Sequence, residues 1–315
     1  MTPTDRTMPA HQRRSHRRRV LGGVTGALFM ASLIIGSVSA STPVTAGYRD
    51  HTYGGGSFRP TSDKTQSKLW YTDGTWFAGM FLYRSTAPVK SEYHIYRLDK
   101  ATHSWIDTGT VIDARDQSHA DYYWDEPTQR LYVASAHMGN NGTNDSTLVY
   151  KFSYNAATNT YAPVAGFPVT IPNTVGGTRT VTINRELHGA LRLWAVWPSG
   201  TEVRYSVSSD AGLTWSAAAQ VPVQVANTIQ PAGPGVDGDA ASVVTFGSSV
   251  GVAWSDHDAL PSGANDGFYF ATIAEGADPT IEANWTLAKL PTPVLDAVIG
   301  HLRRGGELGG YQAAD

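Results

Sequence analysis

Apolar and polar residues alternate along short runs of this chain, and polar turns separate the runs, a pattern that predicts antiparallel β-strands. Four segments repeat one order: a strand, a short turn, a second strand, a polar loop, a third strand near a tyrosine, and a turn that ends at an aromatic residue. The four tyrosines, Tyr96, Tyr150, Tyr205 and Tyr269, are 54, 55 and 64 residues apart. Repetition at this period is typical of a β-propeller, and coincidental spacing in a β-sandwich is the alternative.

The first two strands of each repeat are the most distinct. The predicted pairs are residues 68–71 with 76–81, 121–124 with 130–134, 181–183 with 191–197, and 241–244 with 250–254. The first pair flanks Asp73-Gly74, a dipeptide that favours a tight hairpin turn. We therefore predict an all-β fold, a β-propeller of four-stranded antiparallel blades, over residues 61–293.

One turn of the third repeat carries a complete motif. Its fixed positions follow the pattern S-x-D-x-G-x-T-W and are Ser208, Asp210, Gly212, Thr214 and Trp215. A short carboxylate can accept backbone N–H bonds within a tight turn, and glycine tolerates the positive φ that such a turn needs. The tryptophan then enters the next strand, where a large ring can be buried between blades. The motif predicts architecture and no catalysis.

This octapeptide resembles the Asp-box of the sialidase-like, or BNR-repeat, β-propellers, and residues 99–105 and 155–161 resemble degenerate copies of it. The resemblance implies about six blades, whereas four are recognisable here. We therefore expect a propeller truncated relative to a longer ancestor, with a complete four-bladed ring as the alternative. Residues 41–60 are expected to form a lead-in strand. Residues 294–315 lack alternation and are expected to be an irregular tail that is out of frame.

The first forty residues are predicted to be a signal peptide. A basic stretch with five arginines between residues 13 and 19 precedes an apolar run over residues 20–38 and a small-residue cleavage site, Val38-Ser39-Ala40. Arg17-Arg18-Arg19-Val20-Leu21 resembles a twin-arginine signal. The alternatives are an ordinary secretory signal or an uncleaved anchor, which would be the chain's only membrane association. We expect a secreted, extracellular bacterial protein.

Net charge and composition restrict the classes of partner and ligand that we expect this chain to bind. Without residues 1–40, which hold six arginines and one aspartate, the chain keeps 18 basic and 26 acidic residues, a net charge of −8. This balance argues against nucleic acid as a partner. The chain has no cysteine, and His119 and His137 lack ligand partners at a suitable spacing, so we expect neither a metal site nor a cofactor.

Candidate binding residues lie in the segments that lead into the first strand of each blade, because these segments meet on one face of a propeller. They are Arg59, Arg115, Asp121, Arg179 and Asp239, accompanied by further loop carboxylates such as Asp113 and Asp256. Three convergent guanidiniums would form a carboxylate clamp, which is similar to the arginine triad with which sialidases hold a sugar acid. A surface ion pair is the alternative role for each arginine.

Catalytic residues cannot be assigned from the sequence. The family's tyrosine–glutamate pair belongs to later blades, which have no counterpart in this chain. The leading interpretation is an exported propeller that recognises carbohydrate or another extracellular polymer. The alternatives are an exo-glycosidase of sialidase type, which hydrolyses terminal acidic sugars, and a truncated, nonfunctional fragment.

Overall fold

The computed structural model describes residues 66–82, 92–115, 118–138, 144–172, 180–224, 240–256 and 267–290. The chain divides into two units, residues 1–48 and 49–315, and every described residue belongs to the second. The predicted signal peptide, lead-in strand and C-terminal tail lie outside the described residues.

The described residues form four antiparallel sheets, which we call blades 1 to 4. Their strands are β1 (Leu69–Thr72), β2 (Thr75–Leu82), β3 (Glu92–Asp99) and β4 (Ser104–Asp113) in blade 1; β5 (Ser118–Asp125), β6 (Arg130–Met138), β7 (Asn144–Asn155) and β8 (Thr160–Pro163) in blade 2, where β9 (Val169–Thr170) also pairs with β7; β10 (Thr182–Arg185), β11 (Leu193–Ser199), β12 (Glu202–Ser208) and β13 (Ala219–Gln220) in blade 3; and β14 (Ala241–Phe246), β15 (Ser249–Asp256), β16 (Gly267–Ala274) and β17 (Trp285–Lys289) in blade 4. Within these ranges the one helical element is the 3-10 turn Glu282–Asn284. The predicted all-β fold of four-stranded antiparallel blades is confirmed.

The blades follow one another in chain order, with their first strands innermost. Strand β1 packs beside β5, β5 beside β10, and β10 beside β14. Three separate apolar layers lie between the blades: Trp70 belongs to the layer between blades 1 and 2, Trp197 to that between blades 2 and 3, and Trp254 to that between blades 3 and 4. Each blade is thus held by the apolar face that it presents to its neighbour.

An aspartate or asparagine side chain bonds to the backbone of the turn between the third and fourth strands in all four blades. The side chains of Asp99, Asn155 and Asp278 each accept a hydrogen bond from the backbone N–H two residues later, at 2.9, 3.0 and 2.9 Å. Asp210 accepts one from the N–H of Thr214, four residues later, at 2.9 Å. A short polar side chain stabilises such a turn because it satisfies a backbone donor that the ladder leaves unpaired.

Several further hydrogen bonds close the turn of blade 3. The Thr214 hydroxyl donates to Asp210 at 2.6 Å, and the Gly212 N–H donates to the Ser208 hydroxyl at 2.9 Å. Gly212 has φ 90°, a conformation that glycine adopts without steric cost. Trp215 donates its ring N–H to the Gly212 carbonyl at 3.1 Å and is 9% exposed in the layer between blades 2 and 3.

Gly79 of β2 lies directly under the ring of Tyr122. A Cβ atom built at this glycine would lie 2.1 Å from Cζ of that ring. We therefore expect Gly79→Ala to lower the free energy of unfolding by about 1–3 kcal/mol through overpacking, as measured by chemical denaturation. In a Tyr122→Leu background the same substitution should cost less than about 1 kcal/mol, since the clashing ring is gone. An equal cost in both backgrounds would contradict this explanation.

Candidate functional site

The innermost strands of all four blades line one cavity of about 290 Å³, which we call the axial cavity. Its lining combines aromatic rings, aliphatic side chains, two serine hydroxyls, two tyrosine hydroxyls, one amide and one carboxyl group. The lining residues are Ser67, Leu69 and Trp70 at β1, Asp121, Tyr122, Tyr123 and Trp124 of β5, Ile183 and Asn184 of β10, and Ser242 and Val243 of β14.

Asp121 connects three blades at the wall of this cavity. Its two carboxylate oxygens accept hydrogen bonds from the backbone N–H of Ser67 at 2.5 Å and from that of Ile183 at 2.7 Å. The side chain is buried, and burial raises the pKa of Asp121 to about 7, although these amides and the nearby Lys68 favour the ionised form. The axial cavity therefore has a carboxyl group that changes its charge near neutral pH.

Lys68 is buried between blades 1 and 2, beside Asp121. Its ammonium donates to the Ala120 carbonyl and, at 3.2 Å, to the side-chain oxygen of Gln66. It also lies 5.6 Å from the ring centroid of Tyr93 and 5.6 Å from that of Tyr122. These contacts direct its charge toward the interior of the blade pair.

The tryptophans of the cavity wall are held by their neighbours. Trp70 stacks on Tyr122 with 5.6 Å between ring centroids, and it donates its ring N–H to the Tyr161 hydroxyl at 2.7 Å. Trp124 packs edge-on against Tyr154 and Tyr161, at 5.9 Å from each, and its ring N–H donates to a side-chain oxygen of Glu126. Rings fixed in this way can offer a preformed apolar surface to a ligand.

A buried ion pair lies one residue beyond the cavity lining, where β5 and β10 end. Arg185 contacts the fully buried carboxylate of Asp125 at 2.7 Å. Within the part of the chain that the structure describes, Oδ1 of Asp125 and Nε of Arg185 have no hydrogen-bond partner. Burial raises the pKa of Tyr123, and Arg185, with which the phenol shares a hydrogen bond, opposes that increase. Tyr123 therefore connects this pair with the cavity.

Arg115 is engaged by a carboxylate two residues before it. It contacts the buried Asp113 at 2.7 Å and donates to the Ser135 carbonyl at 3.1 Å. The Ser135 hydroxyl also donates to Asp113, at 2.6 Å. Burial alone would raise the pKa of Asp113, but the hydrogen bonds from Arg115 and Ser135 hold it below the usual value. Arg115 thus occupies a local ion pair, the alternative role considered for it above.

The five candidate binding residues are only partly placed by the structure. Asp121 lines the axial cavity, whereas Arg115 is absent from the described lining. Arg59, Arg179 and Asp239 lie outside the described residues, so the arginine clamp stays a prediction. Tyr123, Trp124 and Asn184 also line the cavity and were not predicted, because they lie on inner strands and the predicted site residues came from the segments that lead into those strands.

One sequence feature could have indicated the cavity residues that were not predicted. It is the run Asp121-Tyr122-Tyr123-Trp124-Asp125. A carboxylate at each end of an aromatic strand is unusual, because charged groups are seldom buried without a partner. The residues between the two carboxylates are those that reach the cavity.

No protein-family model matches the sequence, and no curated protein is similar to it. Similar solved structures include a protein of unknown function from Dyadobacter fermentans, with 14% identity, a TM-score of 0.45, and coverage of 71% of this chain and 64% of that chain. The endo-arabinase from Bacteroides thetaiotaomicron has 12% identity, a TM-score of 0.43, and coverage of 74% and 83%. The NanB sialidase from Streptococcus pneumoniae has 11% identity, a TM-score of 0.38, and coverage of 73% and 53%.

This chain therefore spans less than two thirds of the length of the Dyadobacter protein and about half that of the sialidase. Within the described residues, no helix is long and apolar enough to span a membrane.

Proposed function

We propose that this chain is an exported propeller that binds carbohydrate in the axial cavity and does not cleave it. The observation that carries the proposal is the composition of the cavity wall, which combines aromatic rings with hydroxyls, an amide and a carboxyl group. Ligand sites commonly combine an apolar wall with a few convergent polar groups, and sugar rings present both apolar C–H faces and hydroxyls. The signal-like N-terminus supports an extracellular ligand.

The test of binding is substitution of Tyr123, a tyrosine of the cavity wall. In titration calorimetry against glycans selected from an array, Tyr123→Ala should weaken binding at least about tenfold, because it removes a ring from the contact surface. Tyr123→Phe keeps the ring and should stay within about threefold of wild type.

Tyr71→Ala is the matched control. Tyr71 is 47% exposed on β1, packs on Trp76 at 5.1 Å between ring centroids, and does not belong to the cavity lining. This variant should bind as wild type does. If both alanine variants bound normally, or if no glycan bound, the axial cavity would not be a carbohydrate site. The second outcome would favour the nonfunctional fragment.

A glycosidase is the second candidate function, and Asp121 favours it. A carboxyl group with a pKa raised to about 7 resembles the general acid that glycoside hydrolysis requires. However, both oxygens of Asp121 already accept backbone hydrogen bonds, and hydrolysis needs a second carboxylate or a nucleophile opposite the acid. Purified protein should therefore release no fluorophore from a fluorogenic sialoside, and clear turnover would decide for the enzyme.

A further inference from the structure

The charges around the axial cavity indicate which class of carbohydrate it accepts. We infer that the cavity selects neutral sugars over acidic sugars, an inference that rests on the proposed function. The first observation is that Asp121 lines the cavity. When Asp121 is ionised, a ligand carboxylate placed in this cavity would approach a like charge at low dielectric, which is unfavourable. This is the opposite of the preference that an arginine clamp would produce.

Two described cations, Lys68 and Arg115, are engaged by groups other than a ligand. Lys68 is 5% exposed, and its ammonium donates to the Ala120 carbonyl and to Gln66. Arg115 contacts Asp113 and the Ser135 carbonyl. A bidentate guanidinium–carboxylate pair leaves little net positive charge for a third partner. Neither side chain belongs to the described lining of the cavity.

The ion pair at the end of β5 and β10 provides the second observation. Arg185 and Asp125 neutralise each other at 2.7 Å, and each is one residue beyond a lining residue. Among the described residues, Nε of Arg185 is a donor without an acceptor, and Oδ1 of Asp125 is an acceptor without a donor. Both atoms are buried, so this pair adds no net positive charge at the cavity wall that could attract a ligand carboxylate.

The experiment compares matched neutral and acidic ligands on the purified protein. An array that pairs neutral glycans with their sialylated or uronic-acid counterparts identifies the ligands, and titration calorimetry then measures both members of each pair. The neutral member should bind at least about tenfold more tightly. Tighter binding of the acidic member would overturn the inference and leave carbohydrate binding intact. Binding of no glycan would overturn both.

A cation introduced into the cavity tests the electrostatic cause. Ser242 lines the cavity from β14 and is half-buried. Ser242→Lys should shift the acidic-to-neutral affinity ratio at least about tenfold toward the acidic ligand. Thr286→Lys, which adds the same charge at an exposed position of β17 outside the lining, should leave the ratio unchanged. Equal shifts in both variants, or none in either, would overturn the inference.

Wild-type protein offers a second measurement that needs no variant. The ratio of the affinity for the neutral ligand to that for the acidic ligand should decrease as pH falls from about 8.5 to about 5.5, because protonation of Asp121 removes the like charge. Among the described residues, the cation beside Asp121 is Lys68, whose charge favours the ionised carboxylate. Unchanged discrimination across this range would contradict a role for Asp121 in selecting neutral sugars.

Discussion

Trp215→Ala is expected to lower the free energy of unfolding by about 3–5 kcal/mol, the range observed when a large aromatic side chain is removed from a packed core. The ring is 9% exposed and packs with Leu193 and Trp197 in the layer between blades 2 and 3. Its ring N–H also donates to the Gly212 carbonyl, which would lose this partner. Because the ring packs among buried side chains of two blades, most of the cavity left by its removal should persist.

Chemical denaturation of wild type and variant measures this loss, and Trp76→Ala is the matched control. Trp76 is 42% exposed on β2, and a described contact of its ring is the exposed Tyr71. We expect that control to cost less than about 1 kcal/mol, since removal of an exposed ring leaves no cavity. A similar loss in both variants would show that burial of Trp215 between blades does not determine the effect.

The repeat of strand patterns predicted the blades because each strand has one face against a neighbouring blade. The predicted run 76–81 lies within β2 (Thr75–Leu82), and the predicted run 250–254 lies within β15 (Ser249–Asp256). In β15, the alternating residues Val250, Val252 and Trp254 are buried in the layer between blades 3 and 4, so alternation along the sequence reports the packing directly. In β2, Phe77 packs against blade 2, whereas Ala78 and Met80 pack with Tyr96 of the same blade, so both faces of that strand are buried. This part of the fold depends on local pattern alone.

The first residue of β11 could not be predicted from the apolar pattern of the sequence. Residues 191–197 read as one apolar strand, but the strand begins at Leu193. Leu191 has φ 54° and is part of the turn, and Arg192 directs its guanidinium to Glu186. The pairing of an arginine with a buried carboxylate six residues earlier overrides the apolar pattern. This pairing depends on the burial of the carboxylate in the folded protein, and no local sequence pattern indicates that burial.

The site was harder to predict than the fold for a related reason. The side chains that reach the axial cavity come from four strands far apart in the sequence, and their convergence depends on the packing of the blades. Arg115 was expected to point toward a ligand, but its guanidinium forms an ion pair with Asp113, two residues earlier in the chain. A carboxylate and an arginine at this spacing can form a local ion pair whatever lies beyond them.

The second large effect is expected at Glu186, in the turn between β10 and β11. Its fully buried carboxylate accepts hydrogen bonds from Arg192 at 2.7 and 2.9 Å and from the ring N–H of Trp194 at 3.1 Å. The Gly276 N–H of blade 4 donates to it at 3.3 Å, and Arg192 also donates to the Ala277 carbonyl at 3.0 Å. This group of contacts joins the turns of blades 3 and 4.

Glu186→Ala should therefore lower the free energy of unfolding by about 3–5 kcal/mol, because it leaves the guanidinium of Arg192 with an unpaired and largely buried charge. The matched control is Glu202→Ala in the same blade. Glu202 contacts Arg204 at 2.6 Å, but both side chains are partly exposed, at 24% and 32%. Solvent screens such a pair, so its loss should cost less than about 1 kcal/mol.

The pH dependence of the Glu186→Ala effect separates lost charge pairing from lost packing. Burial alone would raise the pKa of Glu186, but the hydrogen bonds from Arg192 and Trp194 hold it below the usual value. A carboxyl group with a depressed pKa in the folded state stabilises the protein above its unfolded-state pKa and loses that contribution as pH falls through the folded-state value. Denaturation of wild type and variant should thus show their difference shrinking below about pH 4. A difference that stayed constant down to about pH 3 would mean that packing, and not the ionised carboxylate, joins blades 3 and 4 at this turn.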